Sequence, residues 1–236
     1  MSLNEINSLI KLRLFSLKKI ALCILLIVPL WLCSQETKFS LATDVSLLHS
    51  FKKGQRYWSV GQTVHFHFHF TPVNGAYAWV SYYSRGKFTN DLSAAAKTSS
   101  TSPQQVNYRN SAELVFKHIS LGWKRYIKGT FDSEGGLNVY AYAGFGLMFG
   151  QITNAHSVPI DTSLYDVPVL SGKAYFKRLT IDLGLGTEIP MGADIFLYFE
   201  ARALVPTTDY PSRYLFVNKH APFTAAANAG LRILFH

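Results

Sequence analysis

Residues 65–70 read His-Phe-His-Phe-His-Phe, the strictest run of a pattern that governs most of the chain: apolar and polar side chains in alternation. Successive side chains of an extended strand point to opposite faces, so a period of two puts a different chemistry on each side of a sheet. From residue 37 onward this alternation recurs, punctuated by Gly, Pro, Asn and Ser clusters. It predicts eight strands, at about 38–50, 57–70, 76–88, 109–127, 137–150, 173–189, 194–205 and 222–236. Neither an internal repeat nor a linker interrupts the series, so residues 35–236 read as one all-β domain.

The two faces differ consistently. On strand 57–70, Trp58, Val60, Val64, Phe66, Phe68 and Phe70 oppose Ser59, Thr63, His65, His67 and His69. On strand 173–189, Leu179, Ile181, Leu183 and Leu185 oppose Arg178, Thr180, Asp182 and Glu188. Six glycines (Gly61, Gly144, Gly146, Gly184, Gly186 and Gly230) all fall on the polar face. Glycine weakens a strand unless something must approach it closely. A crowded interior shared with Arg178, Arg202, Tyr140 and Tyr142 supplies that reason, and an outer face against lipid does not. The polar face is therefore expected inside and the oily face outside, with Arg178, Asp182, Glu188, Glu200, Arg202 and Arg232 forming a cluster in the lumen. Aromatics near the strand ends fit headgroup girdles: Phe68, Phe70, Tyr77, Trp79, Trp123 and Phe235 toward the tight turns, Trp58, Phe149 and Tyr175 toward the long loops. In strand 109–127, Ala112, Leu114 and Phe116 are out of phase with Ile119, Leu121 and Trp123, which predicts a bulge near Lys117-His118.

Connection lengths alternate as well. Residues 71–75 and 190–193 are short and 128–136 is intermediate, whereas 89–108, 151–172 and 206–221 are long and polar. Long loops at one end and tight turns at the other define a transmembrane, antiparallel, eight-stranded up-and-down β-barrel of the outer-membrane type.

The N-terminus agrees with that location. Lys11, Arg13, Lys18 and Lys19 precede an uncharged apolar run, Ile20 to Leu32, which ends in Ser34-Gln35-Glu36. A basic start, a 13-residue apolar core and a small residue before a polar stretch make residues 1–34 a signal peptide cleaved after Ser34. Both cysteines, Cys23 and Cys33, lie within it, so the mature chain is expected to carry no disulfide. Removing its four bases and one acid lowers the net charge from +9 to +6. No Lys/Arg stripe accompanies that charge, which argues against a nucleic-acid partner. Charged residues make up 16% of the chain, below the ~25% usual for soluble domains.

With the signal peptide, the strand Tyr140-Ala141-Tyr142-Ala143-Gly144-Phe145-Gly146 and the ending Ala229-Gly230-Leu231-Arg232-Ile233-Leu234-Phe235-His236, the chain resembles the small outer-membrane β-barrels of the OmpA/OmpX type. The ending is similar to the aromatic terminal strand read by the barrel-insertion machinery, with Phe235 displaced one residue from the end. The resemblance implies the bacterial outer membrane as location, and outer-membrane lipid and lipopolysaccharide as surroundings. Envelope proteins are the expected partners, through the loops or the periplasmic rim.

Three residue groups invite a chemical reading. His65, His67 and His69 sit about 6.6 Å apart along one face. Two of them can reach one metal ion and a third ligand would have to come from another strand, so polar lumen residues are the simpler reading and no cofactor is expected. His118-Ile119-Ser120 is similar to the His-x-Ser element of outer-membrane lipid A deacylases, which implies a hydrolase in which Glu134 or Asp132 orients the base. Leu121 stands where that element has an asparagine. The acid and base residues of the lumen also admit an ion path, but an eight-stranded barrel is just wide enough for its own side chains. The favoured expectation is a non-enzymatic barrel acting in surface binding, adhesion or envelope assembly through loops that carry Tyr165, Tyr210, Tyr214 and Phe216.

Overall fold

The computed structural model describes residues 38–207, 214 and 223–236. The signal segment, residues 1–34, and the loop aromatics Tyr210 and Phe216 lie outside the described residues. The described residues form β1 (Lys38–Ser50), β2 (Trp58–His69), β3 (Asn74–Ala96), β4 (Gln105–Lys128), β5 (Asn138–His156), β6 (Tyr165–Asp166), β7 (Gly172–Gly192), β8 (Ile195–Pro206) and β9 (Thr224–Phe235). Each long strand is antiparallel to its neighbours, and β1 pairs with both β2 and β9 to close the ring. The two-residue β6 pairs only with the tip of β3. The β7–β8 connection is a two-residue turn in which Ala193 and Asp194 both have positive φ, 50° and 62°, the geometry whose twist matches that of the flanking strands.

The ring is oily outside. Leu179, Ile181, Leu183 and Leu185 stand in a row on the outer face of β7, and Phe39, Leu41, Val64, Phe66, Phe145, Leu147, Leu231 and Ile233 continue it around the barrel. From Leu179 to Ile189 the chain advances about 33 Å. At a tilt of ~40° that projects to roughly 25 Å, the height of the apolar band of an outer-membrane barrel. Aromatic rings mark both edges. Phe39 stacks on Phe235 at 4.8 Å and Phe70 on Trp123 at 5.4 Å near the turns, and Phe51 meets Phe223 at 5.8 Å near the loops.

Two expectations are corrected. Tyr77 and Trp79 do not belong to the outer girdle: they are 3% and 1% exposed and point into the lumen, where Trp79 lies under the Arg202 guanidinium at 4.2 Å and Tyr77 packs edge-on against Tyr142. Small Ala76 and Ala78 take the outer positions on β3. There is also no bulge at Lys117-His118, because the β4–β5 ladder runs without a shift from Asn110–His156 to Tyr126–Tyr140. The extra residue sits on β3 instead, where Ser84 and Arg85 face Val115 alone. What changes along β4 is the filling of the lumen: Ala112, Leu114 and Phe116 point inward toward the loop end, and His118, Ser120 and Lys124 point inward further down.

The strands of the long hairpin also exceed expectation. Much of the segment read as loop 89–108 is ladder, with pairs from Phe88–Ala112 up to Ala95–Gln105. Thr89, Asn90, Asp91 and Ser93 carry no apolar alternation because this part stands above the belt, where both faces can be polar.

Candidate functional site

The lumen is built in layers. Nearest the turns, Glu188 on β7 accepts from Lys124 at 2.7 Å, from the Tyr126 hydroxyl at 2.9 Å and from Arg232 at 2.8 Å. Arg232 lies over the Phe196 ring at 3.9 Å and also donates to Ser40 and to the carbonyl of Phe131. Midway, Glu200 accepts from Tyr142 at 2.7 Å, Arg202 at 2.8 Å, Tyr140 at 3.0 Å and Asn228 at 3.0 Å. Asp44 on β1 takes hydrogen bonds from Ser46, His65 and Tyr198, and its carboxylate lies 3.7 Å from Arg202. Carboxylates and guanidiniums buried this completely persist only because each finds several partners. Arg178 stands higher, beside Tyr57, Phe88, Leu114, Met148 and Phe176, around a chamber of about 30 Å³. That is room for one or two waters.

Glycines on the lumen face make this crowding possible. A Cβ on Gly184 would run into the ring and hydroxyl of Tyr142. That ring cannot retreat, since its hydroxyl is held by Glu200 and by Arg202 at 3.0 Å. Gly184→Ala is expected to cost about 1–3 kcal/mol through overpacking, read as a lower urea midpoint in detergent. An unchanged midpoint would show that the lumen is loosely filled.

The histidines of β2 lie inside and the phenylalanines outside. The rings of His65 and His67 are 5.5 Å apart and those of His67 and His69 are 6.3 Å apart, stacked along the strand. His65 is engaged by Asp44, and His69 by Ser40 at 2.7 Å. Among the described residues no three metal-ligating side chains converge.

His118 and Ser120 face the lumen, 0% and 1% exposed. Ser120 donates its hydroxyl to the Phe145 carbonyl at 3.2 Å, and the His118 ring meets Thr180 at 2.8 Å, with Asp182 3.6 Å away. No hydrogen bond joins the pair among the described residues. Glu134 sits exposed in the β4–β5 turn, beyond the end of β4 at Lys128, so Asp182 and not Glu134 is the acid beside His118.

Pattern reading missed several members of these networks, Asp44, Lys124 and Tyr126 among them. Asp44 had a visible signal: it stands with Ser40 and Ser46 on the polar side of β1. Lys124 was hidden by the supposed bulge.

The second construction lies above the belt. Beyond the rows of Lys117 and Lys177, strands β3, β4, β5 and β7 continue as a sheet outside the ring. Segment 157–171, which includes β6, folds onto it. Ala94, Tyr108 and Tyr165 form a small core of their own, flanked by Leu92, Val106, Ile160 and Val167. Lys97 holds the two pieces together, its amide donating to Leu164 O at 2.9 Å and its Nζ to Thr162 O at 2.6 Å. From Gly86 to Ala96 the hairpin rises about 33 Å along its own axis.

A closed antiparallel ring with a polar, ion-paired interior and, among the described residues, an outer belt free of charged side chains is the fold of a small outer-membrane β-barrel. No protein-family profile and no curated protein sequence matches the chain. Among solved structures, Neisserial surface protein A aligns over 85% of this chain and 100% of its own, with a TM-score of 0.54 at 9% identity. The outer-membrane protein OprG from Pseudomonas aeruginosa covers 86% and 97% with a TM-score of 0.48 at 10% identity. Ail, the attachment invasion locus protein of Yersinia pestis, solved with the heparin analogue sucrose octasulfate, covers 85% and 100% with a TM-score of 0.47 at 9% identity.

Proposed function

We propose that this barrel is a non-enzymatic surface protein of the outer membrane, exported by residues 1–34, whose task is performed by the sheet that β3, β4, β5 and β7 hold outside the lipid. The observation that carries this reading is the second core at Ala94, Tyr108 and Tyr165. A hairpin that served only to connect two strands needs two to five residues, whereas this one extends some ten residue pairs beyond the belt and is braced by segment 157–171. Loops on a rigid scaffold commonly carry binding, and the rigid body here reaches past its own barrel. No observation favours a hydrolytic reading to the same degree: among the described residues no hydrogen bond joins Ser120 to His118, the serine hydroxyl reaching the Phe145 carbonyl and the His118 ring meeting Thr180.

The test is truncation. Replacing residues 90–108 with a short Gly-containing turn should leave a folded, heat-modifiable barrel, because the belt and the lumen networks lie below. In intact cells trypsin should cut the β1–β2 loop after the exposed Lys53 or Arg56 and spare the belt. Adherence of expressing cells to epithelial monolayers, or cross-linking to envelope proteins, should fall at least tenfold in the truncated form. Equal adherence and equal cross-linking would overturn the proposal.

A further inference from the structure

Three tyrosines stand in series inside the lumen, each with its hydroxyl on a carboxylate. Tyr126, nearest the turns, donates to Glu188 at 2.9 Å. Tyr140 and Tyr142 donate to the two oxygens of Glu200, at 3.0 and 2.7 Å. The ring centroids of Tyr126 and Tyr140 are 5.7 Å apart, and those of Tyr140 and Tyr142 are 6.5 Å apart. The series leads from the turn-side mouth, where Phe131 is buried against His69, to the middle of the barrel, where Tyr142 lies against Gly184. Packing alone does not ask for carboxylates. Tyr165, outside the ring, satisfies its hydroxyl with the carbonyl of Pro103 at 3.0 Å. The neighbours at the upper end lack the pattern too. Tyr77 packs 5.0 Å from Tyr142, but among the described residues no carboxylate accepts a hydrogen bond from Tyr77 or from Trp79.

Such pairs suit one-electron chemistry. Among the described residues, which include no cysteine, tyrosine and tryptophan are the side chains that give up an electron most readily. An oxidised phenol is a strong acid, so a tyrosine loses electron and proton together when a base is hydrogen-bonded to it. Lys124 enforces that coupling. Its Nζ lies 3.6 Å from the Tyr140 centroid and 4.9 Å from that of Tyr126, so a positive charge left on either ring would face a cation. Arg202 does the same to Trp79 at 4.2 Å, and with no base on its indole that ring drops out of the series. Each step balances. An oxygen-centred radical that takes an electron from Tyr142 becomes an anion, and Glu200 keeps the phenolic proton. When Tyr142 is reduced by Tyr140, Glu200 returns that proton and receives the one leaving Tyr140. When Tyr140 is reduced by Tyr126, Glu200 gives its proton back and Glu188 takes the one from Tyr126. At the mouth an external thiolate supplies the electron, Glu188 returns the proton to Tyr126, and a thiyl radical departs.

We propose that Tyr142, Tyr140 and Tyr126 form a proton-coupled electron relay, which carries oxidising equivalents from the middle of the lumen to a small thiol donor at the turn-side mouth. Glu200 and Glu188 are its proton acceptors. The relay uses the lumen alone, and the sheet above the belt takes no part in it.

The experiment uses residues 35–236 folded in detergent, with Glu134→Cys in the exposed β4–β5 turn as the only cysteine, carrying a ruthenium photosensitiser. Electron transfer between two sites follows one route in both directions, so a flash that oxidises the ruthenium drives the relay from its outer end. An aminotyrosine at position 142 traps the oxidising equivalent as a radical with its own spectrum. That radical should appear in transient absorption and in electron paramagnetic resonance, and it should form more slowly in deuterated water. Tyr140→Phe keeps the ring and removes the hydroxyl, and it should abolish most of the signal. Glu200→Gln should slow its formation, and Tyr165→Phe should leave it unchanged. A fluorotyrosine at position 140 keeps both the hydroxyl and its bond to Glu200, so it folds even where Tyr140→Phe does not, and it should alter the rate. With tyrosine restored at 142, added reduced glutathione should shorten the lifetime of the tyrosyl radical. Equal radical yield at 142 with and without the Tyr140 hydroxyl overturns the proposal. So does a rate indifferent to the fluorotyrosine or to deuterated water, or a lifetime indifferent to glutathione.

Discussion

Replacing Arg202 with methionine is expected to destabilise the barrel by about 3–5 kcal/mol, the usual result of removing one partner from a buried ion pair. Arg202 is 1% exposed and serves several groups at once: Glu200 at 2.8 Å, Asp44 at 3.7 Å, Tyr142 at 3.0 Å and the face of Trp79 at 4.2 Å. Methionine keeps some of the contact with Trp79 but leaves two carboxylates short of a cation. Each keeps three other donors, but Glu200 is in direct contact with the guanidinium at 2.8 Å whereas Asp44 lies 3.7 Å away, so Glu200 bears most of the loss. The companion change Glu200→Gln should therefore recover part of the stability, with a coupling inside the 0.5–3 kcal/mol seen for contacting residues. An exposed pair offers the contrast. Arg85 and Glu113 also meet at 3.1 Å, but their side chains are 72% and 38% exposed. Arg85→Met should cost less than about 1 kcal/mol because water screens that pair. Urea midpoints of the three variants and the double variant decide the matter, and strictly additive effects of the changes at 200 and 202 would mean that the network does not act as one.

The same network shows what sequence reading can reach. The row of phenylalanines and the row of histidines on β2 separate to opposite sides because period two leaves a strand no other choice. The ends of β1, β8 and β9 follow from alternation that stops where the belt stops. β3 was harder. Tyr77 and Trp79 are amphipathic rings, equally at home in a headgroup girdle or against a guanidinium, and their own segment does not distinguish the two. The deciding facts are remote in sequence: Arg202 on β8 needs a ring to lie on, and Tyr77 reaches toward Gly122 and Gly144, which leave it space. Above the belt the alternation itself fades. Water replaces lipid outside, so Thr89, Asp91 and Asn107 satisfy a strand as well as a loop, and only the pairing of β3 with β4 identifies the ladder. Long-range register thus carried the information that local pattern lacked, for the projecting sheet and for the approach of Asp182 to His118 alike.

Placing arginine on the outer face should reveal the solvent directly. Leu183 lies midway along β7, 44% exposed, paired with Ala143 and Ala203 and remote from both aromatic edges. Ile195 opens β8 beside the Ala193-Asp194 turn and is 37% exposed, facing Ile233. In water both substitutions would be nearly neutral, because each replaces an exposed apolar group by a solvated charge. In a bilayer the two separate: arginine at the midplane costs about 2–4 kcal/mol, falling to roughly 0–1 kcal/mol near an interface, where its stem lets the guanidinium reach the headgroups. Leu183→Arg should therefore lower the unfolding free energy in phospholipid vesicles by several times the cost of Ile195→Arg. Lysine at the same two positions should preserve the order. The comparison depends on depth alone, since neither residue touches the ion pairs of the lumen. Equal costs at the two positions would place this oily face against something other than a bilayer. The further prediction is a graded series, with Leu185→Arg and Ile181→Arg near the maximum and Ile189→Arg approaching the cost at Ile195.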